Sequence, residues 1–261
     1  MKVRRAGPFF LRALTVVITA VGLASCAARP GWQVQQLADA RLPRLGEPAL
    51  ASCASRLGLA PEVTMAADPT NHGERQPRDV FGRRVPDQPM LIVLHETVVA
   101  APATVAFFRT PHPRDDDQAS YHLLVDRSGR RLRIVPDEKR AFGAGMAAFG
   151  DFTVRIRPTS PGSINNVALH LSLETPADGR GDGDAHSGYT PAQYGASAAQ
   201  VLLWQARYGI PMSRLTTHEA VDRSRSRSDP RSFRWERFLT AWRKAAATCE
   251  LTAYDNGRAT Y

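Results

Sequence analysis

The sequence lacks long hydrophobic runs and internal repeats, and it has only three cysteines in 261 residues. Hydrophobic residues make up 43% and charged residues 23%, a balance that argues against wholesale disorder and a collagen-like chain. The shortness of the apolar runs argues against a polytopic membrane protein. A chain of this length can bury a hydrophobic core, so one large domain or two small ones are expected.

Acidic residues are also absent from the beginning of the chain, where none precedes Asp39. The first twelve residues contain four basic ones: Lys2, Arg4, Arg5 and Arg12. The apolar stretch 13–24 that follows is too short for a typical membrane-spanning helix and is typical of a secretory signal peptide. It ends in Leu23-Ala-Ser-Cys26, which resembles a bacterial lipobox, whose cysteine is lipidated. A plain signal peptide with an incidental cysteine is the alternative.

We therefore predict a lipoprotein signal peptide over 1–25 and lipidation at Cys26. Ala27 after the cysteine favours sorting to the outer membrane, so we expect a periplasmic protein that is anchored to the membrane by lipid. Loss of the signal removes four positive charges and no negative ones, which lowers the formal net charge from +9 to +5. The basic character of the chain therefore requires no nucleic-acid partner. Apart from the high pI, the hypothesis of a nucleic-acid-binding protein rests on the Arg-Ser run 223–228.

The two remaining cysteines, Cys53 and Cys249, lie near opposite ends of the predicted folded region. An oxidising periplasm allows two such thiols to pair, and two separate thiols are the alternative.

Patterns along the rest of the chain predict the order of its elements. A short apolar run at 90–94 indicates a buried strand, and strict alternation over 166–174 predicts a half-buried strand with a polar face. Glycine between 121–126 and 131–135 favours a hairpin. Thr190 with Pro191 and Gln193 predicts a capped helix that ends at Gly209, and an amphipathic helix is expected from about Ser232.

These elements predict a single α/β domain with a mixed central β-sheet flanked by helices. We expect a lipid-anchored tether over 26–50, the domain over 51–252 and a tail over 253–261.

His95 at the end of the buried strand, His218 after the capped helix and Asp229 form a candidate metal site. Two histidines and one carboxylate, with an open fourth position, are the ligands of a catalytic zinc. The spacing by itself is weak evidence, because many proteins contain two such histidines.

Neighbouring motifs make the pattern specific. They are Ile92-Val-Leu-His-Glu-Thr97, Ser120-Tyr-His-Leu-Leu-Val-Asp126, Val135-Pro-Asp-Glu-Lys-Arg-Ala141, Ser163-Ile-Asn-Asn166 and Thr217-His218 followed by Ser228-Asp-Pro230. Over about residues 88–243, this order resembles the zinc-dependent N-acetylmuramoyl-L-alanine amidases, a family that includes phage amidases and peptidoglycan recognition proteins.

The resemblance implies Zn²⁺ on His95, His218 and Asp229 and hydrolysis of the amide between muramic acid and L-alanine. It implies peptidoglycan or muropeptides as partners, and we expect a monomer.

The sequence departs from the family pattern at several site positions. Ser172 stands where the family has its general base, a glutamate, so Glu174, two residues further along the strand, is the candidate base. Arg227 replaces a lysine and is expected to stabilise the oxyanion.

The family motif Arg-Ala-Trp-His-Ala-Gly appears as 140–145 with Phe142 and Gly143 in place of tryptophan and histidine, and His170 replaces a usual glycine. His122, His170 and Ser172 are expected to border the substrate. A catalytically impaired peptidoglycan-binding protein on the same fold is the alternative to an active enzyme.

Overall fold

A computed structural model describes residues 39–181, 183–255 and 258–259. The signal peptide, Cys26 and the first part of the tether fall outside these residues, and the predictions for them stay predictions. The described residues form a single α/β domain with a mixed central sheet and helices around it, as the sequence predicts. No helix in this part of the chain is both long and apolar enough to cross a membrane.

Six strands form the central sheet. In spatial order they are β1 (Val63–Thr64), β5 (Arg131–Arg133), β4 (Leu123–Val125), β7 (Ala168–Leu173), β3 (Leu91–Glu96) and β8 (Leu215–Thr217). Only the β4–β5 pair, the predicted hairpin, is antiparallel. Two small antiparallel pairs accompany the sheet: β2 (His72–Glu74) with β6 (Lys139–Ala141), and β9 (Tyr254–Asp255) with β10 (Arg258–Ala259).

The two central strands, β3 and β7, are buried along their whole length. They run parallel, and the register places His95 opposite Ser172. The predicted alternation of β7 is present, since Leu169, Leu171 and Leu173 pack in the main hydrophobic core. The expectation of a half-buried strand is wrong, however, because the polar side of β7 is covered as well. The loop that contains Gly143 packs against His170 on that side, which is a buried polar surface.

Five α-helices of the described residues surround the sheet: α1 (Glu47–Arg56), α2 (Ala101–Arg109), α3 (Pro191–Tyr208), α4 (His218–Val221) and α5 (Trp235–Thr248). Helix α3 begins with the predicted capping box, in which Thr190 accepts from the amide of Gln193 and the Gln193 side chain accepts from the amide of Thr190. It ends at Gly209, whose φ of 68° suits a residue without Cβ. Helices α1, α3 and α5 pack on the face opposite the polar side of β7.

A disulfide joins Cys53 in α1 to Cys249 directly after α5. It closes a loop with a sequence separation of 196. Helix α1 crosses the boundary that we expected at residue 50, and the amide of Tyr254 bonds to the carbonyl of Arg41 across the domain. Segments on both sides of the expected limits therefore belong to the packed structure.

Candidate active site

Three potential metal ligands converge at the carboxyl ends of two neighbouring parallel strands. His95 lies near the end of β3, His218 directly follows β8, and Asp229 lies in the loop after α4. The Nδ1 atom of His218 is 2.9 Å from Oδ1 of Asp229, and Nδ1 of His95 is 3.4 Å from Oδ2. Because adjacent parallel strands end at the same edge of the sheet, residues 123 positions apart in sequence lie side by side.

The chemistry and spacing of these atoms fit a zinc ion. The candidate ligand atoms lie within 4.8 Å of one another, and a tetrahedral ion with bonds of about 2.0–2.2 Å needs ligand atoms roughly 3.3–3.6 Å apart. Nδ1 of His95 is buried and has no hydrogen-bond partner among the described residues, which leaves its lone pair available. Burial lowers the pKa of His95 to about 4, so the imidazole is neutral, as a metal ligand must be.

The third ligand, Asp229, is held in its ionised form. Burial on its own raises the pKa of this carboxyl, but the close contact with His218 and then the proximity of His95 outweigh burial and lower the pKa well below its ordinary value. The site therefore presents two imidazoles and one carboxylate.

A further histidine stands behind His95. This residue is His170 on the neighbouring strand β7, and its Nδ1 lies 2.9 Å from Nε2 of His95. The ring of His170 occupies space that a side chain at position 143 would need, since a Cβ on Gly143 would come within 2.4 Å of it. The contact fixes the Nε2 side of the His95 ring and leaves Nδ1 for Asp229 and an ion.

The residues expected to border the substrate lie beneath the site instead. His122, His170 and Ser172 are completely buried, and none of them lines the cavity above the three ligands. Nδ1 of His122 accepts a hydrogen bond from the amide of His170, and its Nε2 lies 3.3 Å from Nη2 of the buried Arg75. The expectation of substrate contact is corrected accordingly: these side chains form a buried polar layer that supports His95.

Glu174 also has a different place from the one expected for a general base. Its Oε1 accepts a hydrogen bond from the amide of Ala101 at 3.0 Å, and its Oε2 accepts one from the amide of Arg127 at 2.9 Å. Glu174 does not line the cavity. The carboxylate therefore joins the start of α2 to the β4–β5 turn, and the geometry does not favour a catalytic role. Arg227, by contrast, lines the cavity together with His218 and Asp229.

An open cavity of about 880 Å³ adjoins the three candidate ligands, since His218 and Asp229 line it and the buried His95 lies behind them. Tyr121, which the sequence analysis did not single out, lines it with its ring centroid 4.7 Å from that of His95. Burial and then the charge of Asp229 raise the pKa of Tyr121 well above its ordinary value, so its hydroxyl keeps its proton. The motif Ser120-Tyr-His carries part of the family resemblance, and its tyrosine was the one signal in the sequence for this residue.

A buried ion pair joins the two segments that carry His95 and Asp229. Oε1 of Glu96 lies 2.5 Å from Nε of Arg231, and Oε2 of Glu96 lies 3.0 Å from Nε2 of His186. Strand alternation turns Glu96 to the face opposite His95. Glu96 directly follows His95, and Arg231 lies two residues after Asp229. The ion pair therefore holds these two backbone segments together. No pattern in the sequence predicted it.

Comparisons with known proteins identify the family of this chain. The family model of N-acetylmuramoyl-L-alanine amidase (Amidase_2) matches residues 85–232, whereas no curated protein sequence matches the chain significantly. Among solved structures, a selenomethionine derivative of AmpD is 24% identical with a TM-score of 0.51, and the match covers 70% of this chain and 95% of that one.

Two further structures are more distant. AmpD of Citrobacter freundii is 23% identical with a TM-score of 0.45, and the match covers 70% of this chain and 90% of that one. The amidase AmiD of E. coli, solved with anhydro-N-acetylmuramic acid-L-Ala-D-gamma-Glu-L-Lys, is 20% identical with a TM-score of 0.48, over 66% and 65% of the two chains. The family match spans more than half of the chain, and the protein therefore belongs to the N-acetylmuramoyl-L-alanine amidase family.

Proposed function

We propose that the protein is a zinc-dependent hydrolase that cleaves the amide between the lactyl group of N-acetylmuramic acid and L-alanine in peptidoglycan or muropeptides. The observation that carries the proposal is the convergence of His95, His218 and Asp229 beside an open cavity that His218 and Asp229 line. Two imidazoles, a carboxylate and free space beside them are what a catalytic zinc site requires.

Nδ1 of His95, Nδ1 of His218 and a carboxylate oxygen of Asp229 are the atoms that would hold the ion. Zinc bound here would act as a Lewis acid, which would lower the pKa of the attacking water and polarise the scissile carbonyl. Neighbouring side chains hold these ligands in place: His170 on the ring of His95, and Glu96 with Arg231 on the backbone of the Asp229 loop.

Two side chains in the cavity suit the charge changes of amide hydrolysis. Arg227 lines the cavity and carries the positive charge that stabilises a developing oxyanion. The protonated hydroxyl of Tyr121 donates rather than accepts a proton, so its role is to orient the attacking water or the tetrahedral oxygen.

The absence of a carboxylate at the family base position affects the expected rate. Ser172 occupies that position, and Glu174 is engaged with two backbone amides. A well-placed general base contributes about 10²–10⁴-fold to a rate, so turnover should be slow for an amidase. The same observation supports the second candidate function, a peptidoglycan-binding protein with little or no hydrolysis.

For the location of the protein, we propose anchoring by lipid on Cys26 at the periplasmic face of the outer membrane. The support is the basic start, the apolar stretch 13–24 and the Leu23-Ala-Ser-Cys26 sequence. The Cys53–Cys249 disulfide suits an oxidising compartment. Replacement of Cys26 by alanine should move the protein from the membrane fraction to the soluble fraction, and unchanged fractionation contradicts the anchor.

The activity is tested with the whole protein, extracted in mild detergent, with its zinc content measured and purified muropeptides offered. Release of free peptide that disappears in His218→Ala supports the enzyme, with His72→Ala as a histidine control outside the three ligands. Tight binding without release by zinc-loaded protein overturns it in favour of the binding protein.

A further inference from the structure

Arg140 differs from every other buried arginine of the described residues. Four arginines are buried there: Arg75, Arg131, Arg140 and Arg231. Arg75 donates to backbone carbonyls, Arg131 to Gln200 and a carbonyl, and Arg231 to Glu96. The side chain of Arg140, only 7% exposed, has no hydrogen-bond or ion-pair partner within the described part of the chain, and its Nε is completely buried. A buried guanidinium without an acceptor is costly, which indicates that an acceptor arrives from outside.

A second guanidinium stands on the same aromatic ring. Cζ of Arg140 lies 5.3 Å from the ring centroid of Phe142, and Cζ of Arg157 lies 5.1 Å from it. All three residues line the cavity that is also lined by His218 and Asp229, two of the proposed zinc ligands. The ring thus spaces two cations along one wall of the substrate cavity.

The acids at this end of the cavity do not neutralise Arg140. Asp115 pairs with Arg157 and accepts from the hydroxyls of Thr159 and Ser160, and no ion pair joins it to Arg140. Burial first, and then the charge of Arg157, lower the pKa of Arg140 to about 10. The environment therefore disfavours the charge on Arg140, and an incoming anion would compensate it.

We propose that Arg140, together with Arg157 across the ring of Phe142, forms a subsite that binds a carboxylate of the substrate's peptide. The subsite rests on the proposed function. In a muramyl peptide the lactyl carboxyl is consumed in the scissile amide, so the sugar offers no carboxylate, whereas the peptide beyond L-alanine carries free ones. A guanidinium matches a carboxylate through two parallel N–H···O bonds, which a lysine or an amide cannot reproduce.

The test compares two muramyl peptides that differ in one group: the residue after L-alanine carries either a free α-carboxylate or the corresponding primary amide. The zinc-loaded whole protein should hydrolyse the acid with a kcat/KM about tenfold to hundredfold higher than the amide, chiefly through a lower KM. A second pair, amidated only at the peptide's terminal carboxylate, identifies which carboxylate is bound.

Variants then assign the preference to the proposed residues. Arg140→Gln should remove most of the preference for the acid, so that the ratio of kcat/KM for the acid to kcat/KM for the amide falls toward one. Arg157→Gln, at a partly exposed position, should reduce the preference less. Arg114→Gln is the matched control, because Arg114 pairs with Asp117 beside this wall without lining the cavity.

The outcomes separate this proposal from the proposed function. Hydrolysis of neither substrate pair by the wild type refutes the enzyme, whereas equal hydrolysis of acid and amide refutes the carboxylate subsite alone. A preference that persists in both Arg140→Gln and Arg157→Gln also refutes it. If Arg140→Gln does not fold, a preference unchanged in Arg157→Gln decides against the subsite.

Discussion

Nε2 of His95 and Nδ1 of His170 lie 2.9 Å apart across the two central parallel strands. The contact is possible because residue 143 is glycine, whose missing Cβ leaves room for the ring of His170. In the family pattern the histidine stands at the position of Gly143 and the glycine at that of His170. Two departures that look independent in the sequence are therefore one exchange, in which a neighbouring strand supplies the imidazole.

The exchange predicts that His170 supports zinc binding through His95. His170→Ala should weaken zinc affinity about 10–100-fold, since partners that orient a metal ligand typically contribute this much. Chelator competition measures the affinity independently of activity. Gly143→His alone should destabilise the fold, because its Cβ overlaps the His170 ring, and adding His170→Gly should restore stability and much of the affinity. An affinity that His170→Ala leaves unchanged contradicts the supporting role.

The sequence predicted the elements whose signals are local. The capping residues Thr190 and Gln193 and the stop at Gly209 define α3, and the apolar run at 90–94 marks β3. Alternation in β7 correctly separated two faces, but it carries no information about what covers each face. The polar face proved to be buried, because loops distant in sequence close over His170 and Ser172.

The candidate ligands of the site were predictable from the sequence, and their surroundings were less so. His95, His218 and Asp229 were found through motifs in a fixed order, and the structure brings them together. Strand alternation predicted Glu174 on the same face as Ser172, but only the fold brings two backbone amides to its carboxylate. Arg140 lies in one of the motifs that carry the family resemblance, yet its lack of a hydrogen-bond or ion-pair partner is a property of the packed structure.

Glu174 is predicted to contribute to stability rather than to catalysis. Glu174→Gln replaces one acceptor with an amide nitrogen that faces a backbone N–H, which should cost about 1–3 kcal/mol of the free energy of unfolding. Urea unfolding measures that cost, and the rate per folded molecule should stay within about twofold. Glu236→Gln, the same substitution at an exposed position of α5, is the control. A large loss of kcat in folded Glu174→Gln, absent in Ser172→Ala, would restore Glu174 as the base.

Tyr121 is predicted to act on the chemical step. Tyr121→Phe keeps the ring beside His95 and removes the hydroxyl, so kcat should fall about 10–100-fold while zinc content and KM change little. Because the pKa of Tyr121 is raised above its ordinary value, the wild-type rate should show no tyrosine titration near pH 10. Tyr208→Phe, at a tyrosine outside the cavity, controls for the loss of a hydroxyl. A wild-type kcat in Tyr121→Phe removes Tyr121 from the mechanism.

The Cys53–Cys249 disulfide is predicted to contribute strongly to stability, because it joins α1 to the end of α5 across most of the domain. A bridge over a loop with a sequence separation of 196 restricts the unfolded chain, which in the chain-entropy model corresponds to about 3–5 kcal/mol. The double variant Cys53→Ala and Cys249→Ala should therefore unfold at a markedly lower urea concentration than the oxidised protein. Reducing the wild type should lower its midpoint similarly and leave the variant's midpoint unchanged. If reductant destabilises both proteins equally, its effect does not come from this bridge.

The bridge lies among helices on the face away from the three candidate ligands, so folded variant protein should retain the wild-type zinc affinity.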